Sequence, residues 1–356
     1  MENTVTSTPC PSERYQLTSP AKVTLVAILG VLAFVGAVGN ILTIHITLAN
    51  RKRKRSVDAL IINLAAADVL IASVMNTCQI VGVMAPEVHL FVYTEVLITH
   101  PIICEVIGSI CVIGCVVSLA TAAAISLNRY LFIAKRTLHD AIFTKKWSAA
   151  ILASFWIIGI LYNVPMWLGW GSHGYDYKTM NCMYDRAAHY RFTLLFVLGG
   201  HIFPAITVVV CNGLLVCHIR ATKRALAEHL PKTMIQADDV RVMKTLGIVC
   251  TSFVLGWLQY GVVVIADYQD QWSQAVHCTS FVLAHSSSTL NCLLYLVTNK
   301  EMRQKYLAVF WKKMKDNVND LRRSSGIDIN GKPRFSAEHP DEEIALRGFN
   351  NLDWDA

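Results

Sequence analysis

Seven long apolar runs alternate with short polar connections along the chain. Each run has more than 20 residues and contains at most one Asp, Glu, Lys or Arg. A helix needs about 20 apolar residues to cross a bilayer, and it satisfies its own backbone hydrogen bonds there. The pattern therefore predicts an all-α membrane protein, a seven-transmembrane helix bundle. The predicted spans are Val23–Asn50, Ala59–Pro86, Val96–Leu127, Trp147–Gly174, Phe192–Ile219, Thr245–Ala266 and Gln271–Asn299.

The basic residues of the connections predict the orientation of the bundle. Residues 51–55 are all Lys or Arg, and the connections after the third and fifth runs are also basic, whereas those after the second and sixth contain no Lys or Arg. Because cytoplasmic loops are enriched in Lys and Arg, the N-terminus is predicted to lie outside the plasma membrane and the C-terminus inside.

Four segments follow from this arrangement. They are an extracellular N-terminus (1–21), the seven-transmembrane bundle (22–299), a C-terminal amphipathic surface helix (300–315) and a disordered cytoplasmic tail (316–356). The helix is predicted because apolar and basic residues recur at helical spacing between Lys300 and Lys315, which suits an anionic lipid surface. The tail is polar and mixed in charge.

Composition agrees with a membrane protein. The chain is 54% hydrophobic and 16% charged, whereas soluble domains carry about 25% charged residues. The net charge of +7 is spread over short connections rather than one face, which argues against nucleic acid as a partner. Most of the 11 cysteines lie inside apolar runs, where we expect small buried hydrophobes. His201 and His285 also lie inside runs, and neither they nor the cysteines show zinc-type spacing.

Asp68 lies in the middle of the second run. A carboxylate there costs about 2.5–3.5 kcal/mol on insertion scales, so it is expected to face the interior and find polar partners. The candidate partners are polar residues in the middle of other runs: Asn40, Ser118, Ser287, Ser288 and Asn291. Such a cluster can bind a small hard cation or hold a proton, or it can serve only to join helices.

Arg129 stands where the third run ends, within the sequence Asn128-Arg129-Tyr130. Its guanidinium is always charged and offers five donors. One interpretation is an interfacial anchor in the headgroups, and the other is a switch residue that meets cytosolic partners.

The chain resembles the rhodopsin-like (class A) G-protein-coupled receptors from Thr24 to Phe310. The resemblance rests on motifs that occur in order, one or more to a span. They are Gly39-Asn40, the stretch from Asn63 to Asp68, Cys104 with Cys182, Asn128-Arg129-Tyr130, Trp156, Pro204, Phe253 with Trp257, and Asn291 to Tyr295. The Asn-Arg-Tyr sequence resembles melatonin-type receptors, and the loop containing Gly169-Trp170-Gly171 resembles opsins. His285 stands where opsins carry the retinal lysine, so no Schiff base can form there.

The resemblance implies roles for named residues. It implies a disulfide between Cys104 and Cys182, and a sodium site at Asp68, Ser118, Ser287 and Asn291. It implies that Arg129 engages a heterotrimeric G protein when the sixth helix moves outward, and that Asp239 pairs with Arg129 in the closed form. The coupling and switch residues are then Asn128, Arg129, Tyr130, Asp239, Phe253, Trp257 and Tyr295. Arrestin and a receptor kinase are further implied partners.

The sequence also departs from the family pattern at four positions. Asn128 replaces an acid, Asn212 replaces the fifth-helix Tyr, Gln259 replaces the sixth-helix Pro, and Cys292 replaces the seventh-helix Pro. These changes put the sixth-helix kink in doubt and predict activation that is retained but tuned differently.

The expected ligand pocket is apolar and aromatic, which suits a small neutral or lipid-like molecule. Its expected lining is Cys111, Val112, Cys115, Phe196, Gly200, Trp257, Tyr260, Val264, Phe281 and His285. Acidic residues in the outer connections, among them Asp267 and Asp270, leave a basic peptide as an alternative ligand. A second disulfide between Cys10 and Cys278 is a further expectation.

Three other functions are alternatives to a ligand-driven receptor. A constitutively active or ligand-independent receptor is compatible with the altered switch residues. An ion transporter or channel would use Asp68, but the two halves of the chain show no repeat. A membrane enzyme would need a nucleophile–base pair or a metal triad, and the sequence pattern indicates neither.

Overall fold

The computed structural model describes residues 17–49, 56–84, 101–227, 254–298, 303–308 and 317. Seven helices, α1 to α7, occupy the seven predicted spans. Four of them are regular: α1 (Ser19–Ala49), α3 (Pro101–Ala134), α4 (Lys145–Trp167) and α7 (Gln274–Thr298). Three contain a π-helical segment. In α2 the π segment Ile71–Met75 lies between Ser56–Leu70 and Asn76–Met84, and in α5 the π segment Val197–Ile202 lies between Tyr190–Phe196 and Phe203–Ala227. The described part of α6 begins with the π segment Val254–Leu258 and continues as Gln259–Ala266.

Among the described residues, α1 to α5 are each long and apolar enough to cross a membrane. The described part of α6 is a shorter apolar helix, and α7 carries many polar side chains, which include the buried His277 and His285. Large apolar side chains on the outer surface, such as Phe34 on α1 and Leu161 on α4, are exposed. A contiguous exposed apolar surface is what a bilayer would cover.

The interior of the bundle is built around α3. This helix packs against α2, α4 and α5, while α1 packs against α2 and α7, and α6 packs against α5 and α7. Val112, Val116 and Leu119 of α3 are buried in one cluster with Trp257 of α6. Elsewhere in the bundle α1 approaches α7 so closely that a Cβ added at Gly39 would overlap the sulfur of Cys292. Small residues permit such approaches between membrane helices.

Two of the π-helical segments have a local cause. Pro204 lacks an N–H and cannot bond back to the preceding turn, and the π-helical Val197–Ile202 segment of α5 ends just before it. In α2, the hydroxyl of Ser73 donates to the backbone carbonyl of Val69 within the Ile71–Met75 segment. Side-chain bonds of this kind compete with the helix ladder and bend helices.

A β-hairpin connects α4 to α5 and lies at one end of the bundle. Strand β1 (His173–Asp176) pairs antiparallel with β2 (Asn181–Tyr184), with Tyr175 opposite Cys182. Cys182 forms a disulfide with Cys104 of α3, as the family resemblance implied. We call this end of the bundle the hairpin end and the opposite end, where α3 carries Arg129, the arginine end.

A short helix, Arg136–Ile142, follows α3 at the arginine end. The next helix, α4, begins after Thr144, whose hydroxyl accepts a hydrogen bond from the backbone N–H of Trp147 and so caps it. Residues 303–308 form a helix in a separate unit, and Tyr306 is buried there. The rest of the predicted amphipathic segment lies outside the described residues, so the four-segment division remains a prediction.

Candidate functional site

A small cavity lies inside the bundle near the hairpin end. Its volume is about 10 Å³, close to the minimum for a single water molecule. Its lining residues come from α3, α5, α6, α7 and the hairpin: Cys111, Val112, Cys115, Met183, Tyr184, Phe196, His201, Trp257, Tyr260, Phe281 and His285. Drug-sized ligands occupy about 300–1,000 Å³, so a ligand of that size needs the cavity to open.

The structure brings eight of the ten expected pocket residues to this cavity. The other two, Gly200 and Val264, are buried close by; Val264 belongs to the same apolar cluster, and a Cβ at Gly200 would touch Phe196. Sequence reasoning missed Met183, Tyr184 and His201. The first two follow Cys182 directly, so the disulfide to α3 was a signal that hairpin residues would reach the pocket. The Tyr184 hydroxyl is buried and has no hydrogen-bond partner among the described residues.

Two cysteines and a histidine meet at one wall of the cavity. Cys111 and Cys115 are one helical turn apart on α3, and their sulfurs are 4.0 Å apart. The Nε2 atom of His285 on α7 lies 3.8 Å from the sulfur of Cys111 and 3.9 Å from that of Cys115. All three residues are buried. The sequence did not indicate this cluster, because His285 follows the two cysteines by about 170 residues.

Trp257 forms the floor of the cavity and connects it to α7. Its ring lies 5.2 Å from that of His201 and 5.6 Å from that of His285. The indole Nε1–H donates to the hydroxyl of Ser287 at 2.7 Å, and this hydroxyl donates to the carbonyl of Ala284. Ser287, one of the expected sodium ligands, therefore contacts the tryptophan.

Asp68 is fully buried between α2, α3 and α7. Its Oδ1 accepts a hydrogen bond from Ser118 at 2.7 Å, and its Oδ2 accepts one from Asn291 at 2.8 Å. Asn40 reaches α7 by donating to the backbone carbonyl of Ser288 at 3.0 Å, and its own side-chain oxygen has no partner among the described residues. A carboxylate with hydroxyl- and amide-bearing side chains beside it can supply oxygen ligands to a hard cation such as Na⁺.

A network of buried ion pairs fixes the hairpin over the cavity. The ammonium group of Lys178 lies 2.8 Å from Asp270 and 3.6 Å from Asp267, both in the α6–α7 connection. Arg186 pairs with Asp176 at 2.6 Å and also with Asp270. The Lys178 and Arg186 side chains are only 3% and 7% exposed. Asp267 and Asp270, two of the acidic residues considered for a basic peptide ligand, are thus already paired within the protein.

The two aspartates of the connection are held ionised by their neighbours. Burial raises the pKa of Asp267, but this is outweighed by hydrogen bonds from His277 and from two backbone N–H groups, so its pKa lies below the usual value. Burial also acts on Asp270, where Lys178 and Arg186 bring the pKa below the usual value. By contrast, burial alone lowers the pKa of His173 in β1 to about 4.

At the arginine end, Asn128 connects α3 to the short helix Arg136–Ile142. Its side-chain amide lies 3.2 Å from Nε2 of the buried His139, and Nδ1 of His139 lies 2.9 Å from Asp140. Because a carboxylate cannot donate, a neutral His139 donates from Nδ1 to Asp140 and accepts from Asn128 through Nε2. Asn128, which replaces the family's acid, therefore makes a contact of its own that the sequence did not predict.

The other three departures also have structural consequences. Gln259 follows the π-helical segment of α6, and its amide donates to the carbonyls of Gly256 and of Ser280 on α7, both at 2.9 Å. Asn212 donates to the backbone carbonyl of Val208 and lies 3.4 Å from the hydroxyl of Ser126 on α3. The thiol of Cys292 donates to the carbonyl of Thr289.

Several expected residues cannot be placed. Asp239, Phe253 and Cys10 lie outside the described residues, and for Tyr295 the backbone alone is described, as part of α7. Cys278 is a free thiol, buried near the amide of Gln79, so the structure does not pair it with Cys10. Tyr130 packs at the edge of a second apolar cluster, which also contains Phe143.

Comparison with known proteins identifies the class to which this architecture belongs. Residues 39–295 match the family model described as 7 transmembrane receptor (rhodopsin family). The chain is 24% identical over 299 residues to melatonin receptor type 1A of Mus musculus, covering 80% of this chain and 79% of that protein. It is 23% identical over 304 residues to the blue-sensitive opsin of Anolis carolinensis, covering 82% and 81%. The structure of squid rhodopsin matches with a TM-score of 0.66 at 17% identity, covering 98% of this chain and 96% of that one.

The chain therefore belongs to the rhodopsin family of seven-transmembrane receptors. It is a multi-pass membrane protein with the seven-helix fold, and a class A G-protein-coupled receptor rather than an enzyme. The sequence prediction of the fold and of the family is confirmed.

Proposed function

We propose that this receptor responds to a ligand in the cavity above Trp257 by opening its arginine end to a heterotrimeric G protein. The receptor then lies in the plasma membrane, with its hairpin end extracellular and its arginine end facing the cytosol. The observation that carries the proposal is the double role of Trp257. It closes the cavity from below and is hydrogen-bonded to Ser287 of α7, so a ligand that displaces the indole also changes the contact between α6 and α7.

The ligand class follows from the lining of the cavity. Its walls are mainly aromatic and aliphatic, and no lining residue carries a permanent charge; the polar groups belong to two cysteines, two histidines, two tyrosines and Trp257. Asp267 and Asp270 are neutralised by Lys178 and Arg186, which removes the main reason to expect a basic peptide. A small neutral or lipid-like molecule that hydrogen-bonds to Tyr184 fits best.

We further propose that Na⁺ binds at Asp68, with oxygen atoms of Ser118 and Asn291 as neighbours. The ion would supply positive charge to a carboxylate that is otherwise stabilised by two neutral donors. Binding of the ion would favour the conformation in which α2, α3 and α7 converge on this carboxylate. Ser287 would act through Trp257 rather than on the ion.

The experiment is a G-protein activation assay on cells expressing the full chain, with a screen of small neutral and lipid-like molecules. Arg129→Ala is expected to abolish the response to any hit, and Tyr184→Phe is expected to weaken the hit's potency. Leu161→Ala, at an exposed site on the outer surface of α4 and away from the arginine end, is the control and should leave the response unchanged. A full response from Arg129→Ala at normal surface expression would refute the coupling proposal.

A ligand-independent receptor remains the second candidate, and one observation favours it. Asn128, which replaces the acid expected beside Arg129, is a neutral amide and contacts His139. Basal G-protein activation without any added ligand measures this directly. Activity that matches the ligand-stimulated maximum would favour the second candidate, and low basal activity would favour the first.

A further inference from the structure

We propose that Cys111, Cys115 and His285 form a Zn²⁺ site in the cavity, with a fourth coordination position open to it. Three potential ligand atoms converge there, two sulfurs and one imidazole nitrogen, and all lie within 4.0 Å of one another. Two cysteines with one histidine and an open position is a ligand set that zinc uses in proteins when it must remain accessible to a further ligand.

The spacing of the ligand atoms is close to that of tetrahedral zinc. With Zn–S of about 2.3 Å and Zn–N of about 2.0–2.1 Å, two sulfurs lie about 3.8 Å apart and each lies about 3.5 Å from the nitrogen. The observed separations are 4.0 Å between the sulfurs and 3.8 and 3.9 Å from each sulfur to Nε2. Closing these gaps requires movements of a few tenths of an ångström, which side-chain rotation alone can supply.

The orientation of His285 is already fixed as a metal ligand requires. Its Nδ1 lies 2.9 Å from the backbone carbonyl of Phe281, and a carbonyl can only accept, so Nδ1 carries the proton. Nε2 then has a free lone pair, and it faces the two sulfurs. Metal-bound histidines are usually held in this way through their second ring nitrogen.

Charge and size also favour zinc. On binding, the two thiols release their protons to water. Two thiolates and a neutral imidazole then cancel the charge of Zn²⁺, so the site buries no net charge. Cu⁺ with the same two thiolates would leave a net negative charge in an apolar site. The cavity volume of about 10 Å³ admits one ion but no organic ligand without opening.

The site joins α3 to α7 next to Trp257, whose ring lies 5.6 Å from that of His285. The ligand atoms already converge in the present conformation, so Zn²⁺ stabilises it and opposes opening of the cavity. This consequence for signalling rests on the proposed function, in which displacement of Trp257 opens the arginine end. Metal binding itself does not rest on it.

The test uses the purified full-length receptor in nanodiscs, kept reduced, with Co²⁺ as a spectroscopic substitute for Zn²⁺. One Co²⁺ per receptor is expected, with sulfur-to-cobalt charge-transfer absorption and the visible bands of a tetrahedral site, both removed by added Zn²⁺. Loss of a residue that only orients a metal ligand costs about 10–100-fold in metal affinity. Cys111→Ala and His285→Gln remove a ligand itself, so each should weaken Co²⁺ binding at least about 100-fold. Cys292→Ala, another buried cysteine, is the matched control and should keep the spectrum.

A measurement on the unaltered chain covers the case in which the variants do not fold. Zn²⁺ should slow alkylation of Cys111 and Cys115, mapped by mass spectrometry, and should not protect the exposed Cys217. No thiolate–cobalt absorption, together with equal alkylation rates with and without Zn²⁺, overturns the proposal. In the signalling assay Zn²⁺ should lower G-protein activation in the parent receptor but not in Cys111→Ala. A receptor that binds Co²⁺ but never activates a G protein refutes the proposed function and leaves the metal site standing.

Discussion

Lys178 is the central cation of the buried network that fixes the hairpin, and replacing it with methionine tests how much that network stabilises the receptor. Methionine keeps the length and apolar stem of the side chain but removes the charge. The ammonium group lies 2.8 Å from the Asp270 carboxylate and 2.6 Å from its backbone carbonyl, and 3.6 Å from Asp267. The change therefore leaves one fully buried and one partly exposed carboxylate without this partner.

The loss of stability depends on which hydrogen bonds and ion pairs the two carboxylates retain after the substitution. Removing one partner of a buried ion pair costs about 3–5 kcal/mol. Asp267, whose side chain is 2% exposed, retains His277 and two backbone N–H groups, and Asp270, 40% exposed, retains Arg186. These remaining contacts lower the expected cost to about 2–3 kcal/mol. This corresponds to a fall in melting temperature of about 3–4 °C, because the unfolding entropy of about 2.1 cal/mol/K per residue is large for a chain of 356 residues.

The assay is thermal unfolding of the purified receptor in nanodiscs at pH 7 and pH 3, with the exposed Lys146→Met as control. The pKa values of Asp267 and Asp270 are depressed in the folded state, so their stabilisation is complete above the unfolded-state pKa and is lost as the pH falls through the folded-state values. The difference between Lys178→Met and the parent should thus shrink at pH 3. Adding Asp270→Asn to Lys178→Met should recover part of the loss at pH 7. If Lys178→Met melts with the control at pH 7, the network does not stabilise the fold and the reasoning fails.

Three further predictions concern other sites. Gln259→Ala removes one hydrogen bond within α6 and one from α6 to α7, so it should lower the free energy of unfolding by about 1–2 kcal/mol and raise basal G-protein activation. Unchanged basal activity would contradict a restraining role. His173 has a folded-state pKa of about 4, below the usual 6.5, so the melting temperature should fall as the pH drops from 6.5 toward 4. His173→Phe should flatten that pH dependence, and a slope equal to the parent's would count against this role of His173. Gly39→Ala forces a Cβ into the sulfur of Cys292 and should lower the free energy of unfolding by about 1–3 kcal/mol. Adding Cys292→Ala to the same chain should restore most of that stability, and thermal unfolding of the single and double variants measures both effects.

The sequence predicts the fold well because a bilayer leaves few alternatives. A run of 20 apolar residues must be helical, and a single carboxylate within such a run must face polar partners. The structure places Ser118 and Asn291 on Asp68, and both had been named as candidates because they were polar residues in the middle of other spans. The physical cost of an unpaired charge in lipid made that inference possible.

Several contacts that the sequence did not predict join residues that are far apart along the chain. Nothing in the sequence around Lys178 and Arg186 shows that Asp270, more than 80 residues later, pairs with both of them. The same limit hid His285 from Cys111 and Cys115. Gln259 was recognised as a departure from the family's proline, but its bond to the Ser280 carbonyl became evident only once α6 and α7 were side by side.

The seventh helix is anchored to two different neighbours within a single turn. Ser287 accepts a hydrogen bond from Trp257 of α6, and Asn291, four residues later, donates one to Asp68 of α2. Because the two residues lie on one face of a stiff rod, α7 cannot rotate or slide enough to release one bond without straining the other. The ligand that we propose above Trp257 and the Na⁺ that we propose at Asp68 should therefore influence each other's affinity, and to the same degree in both directions.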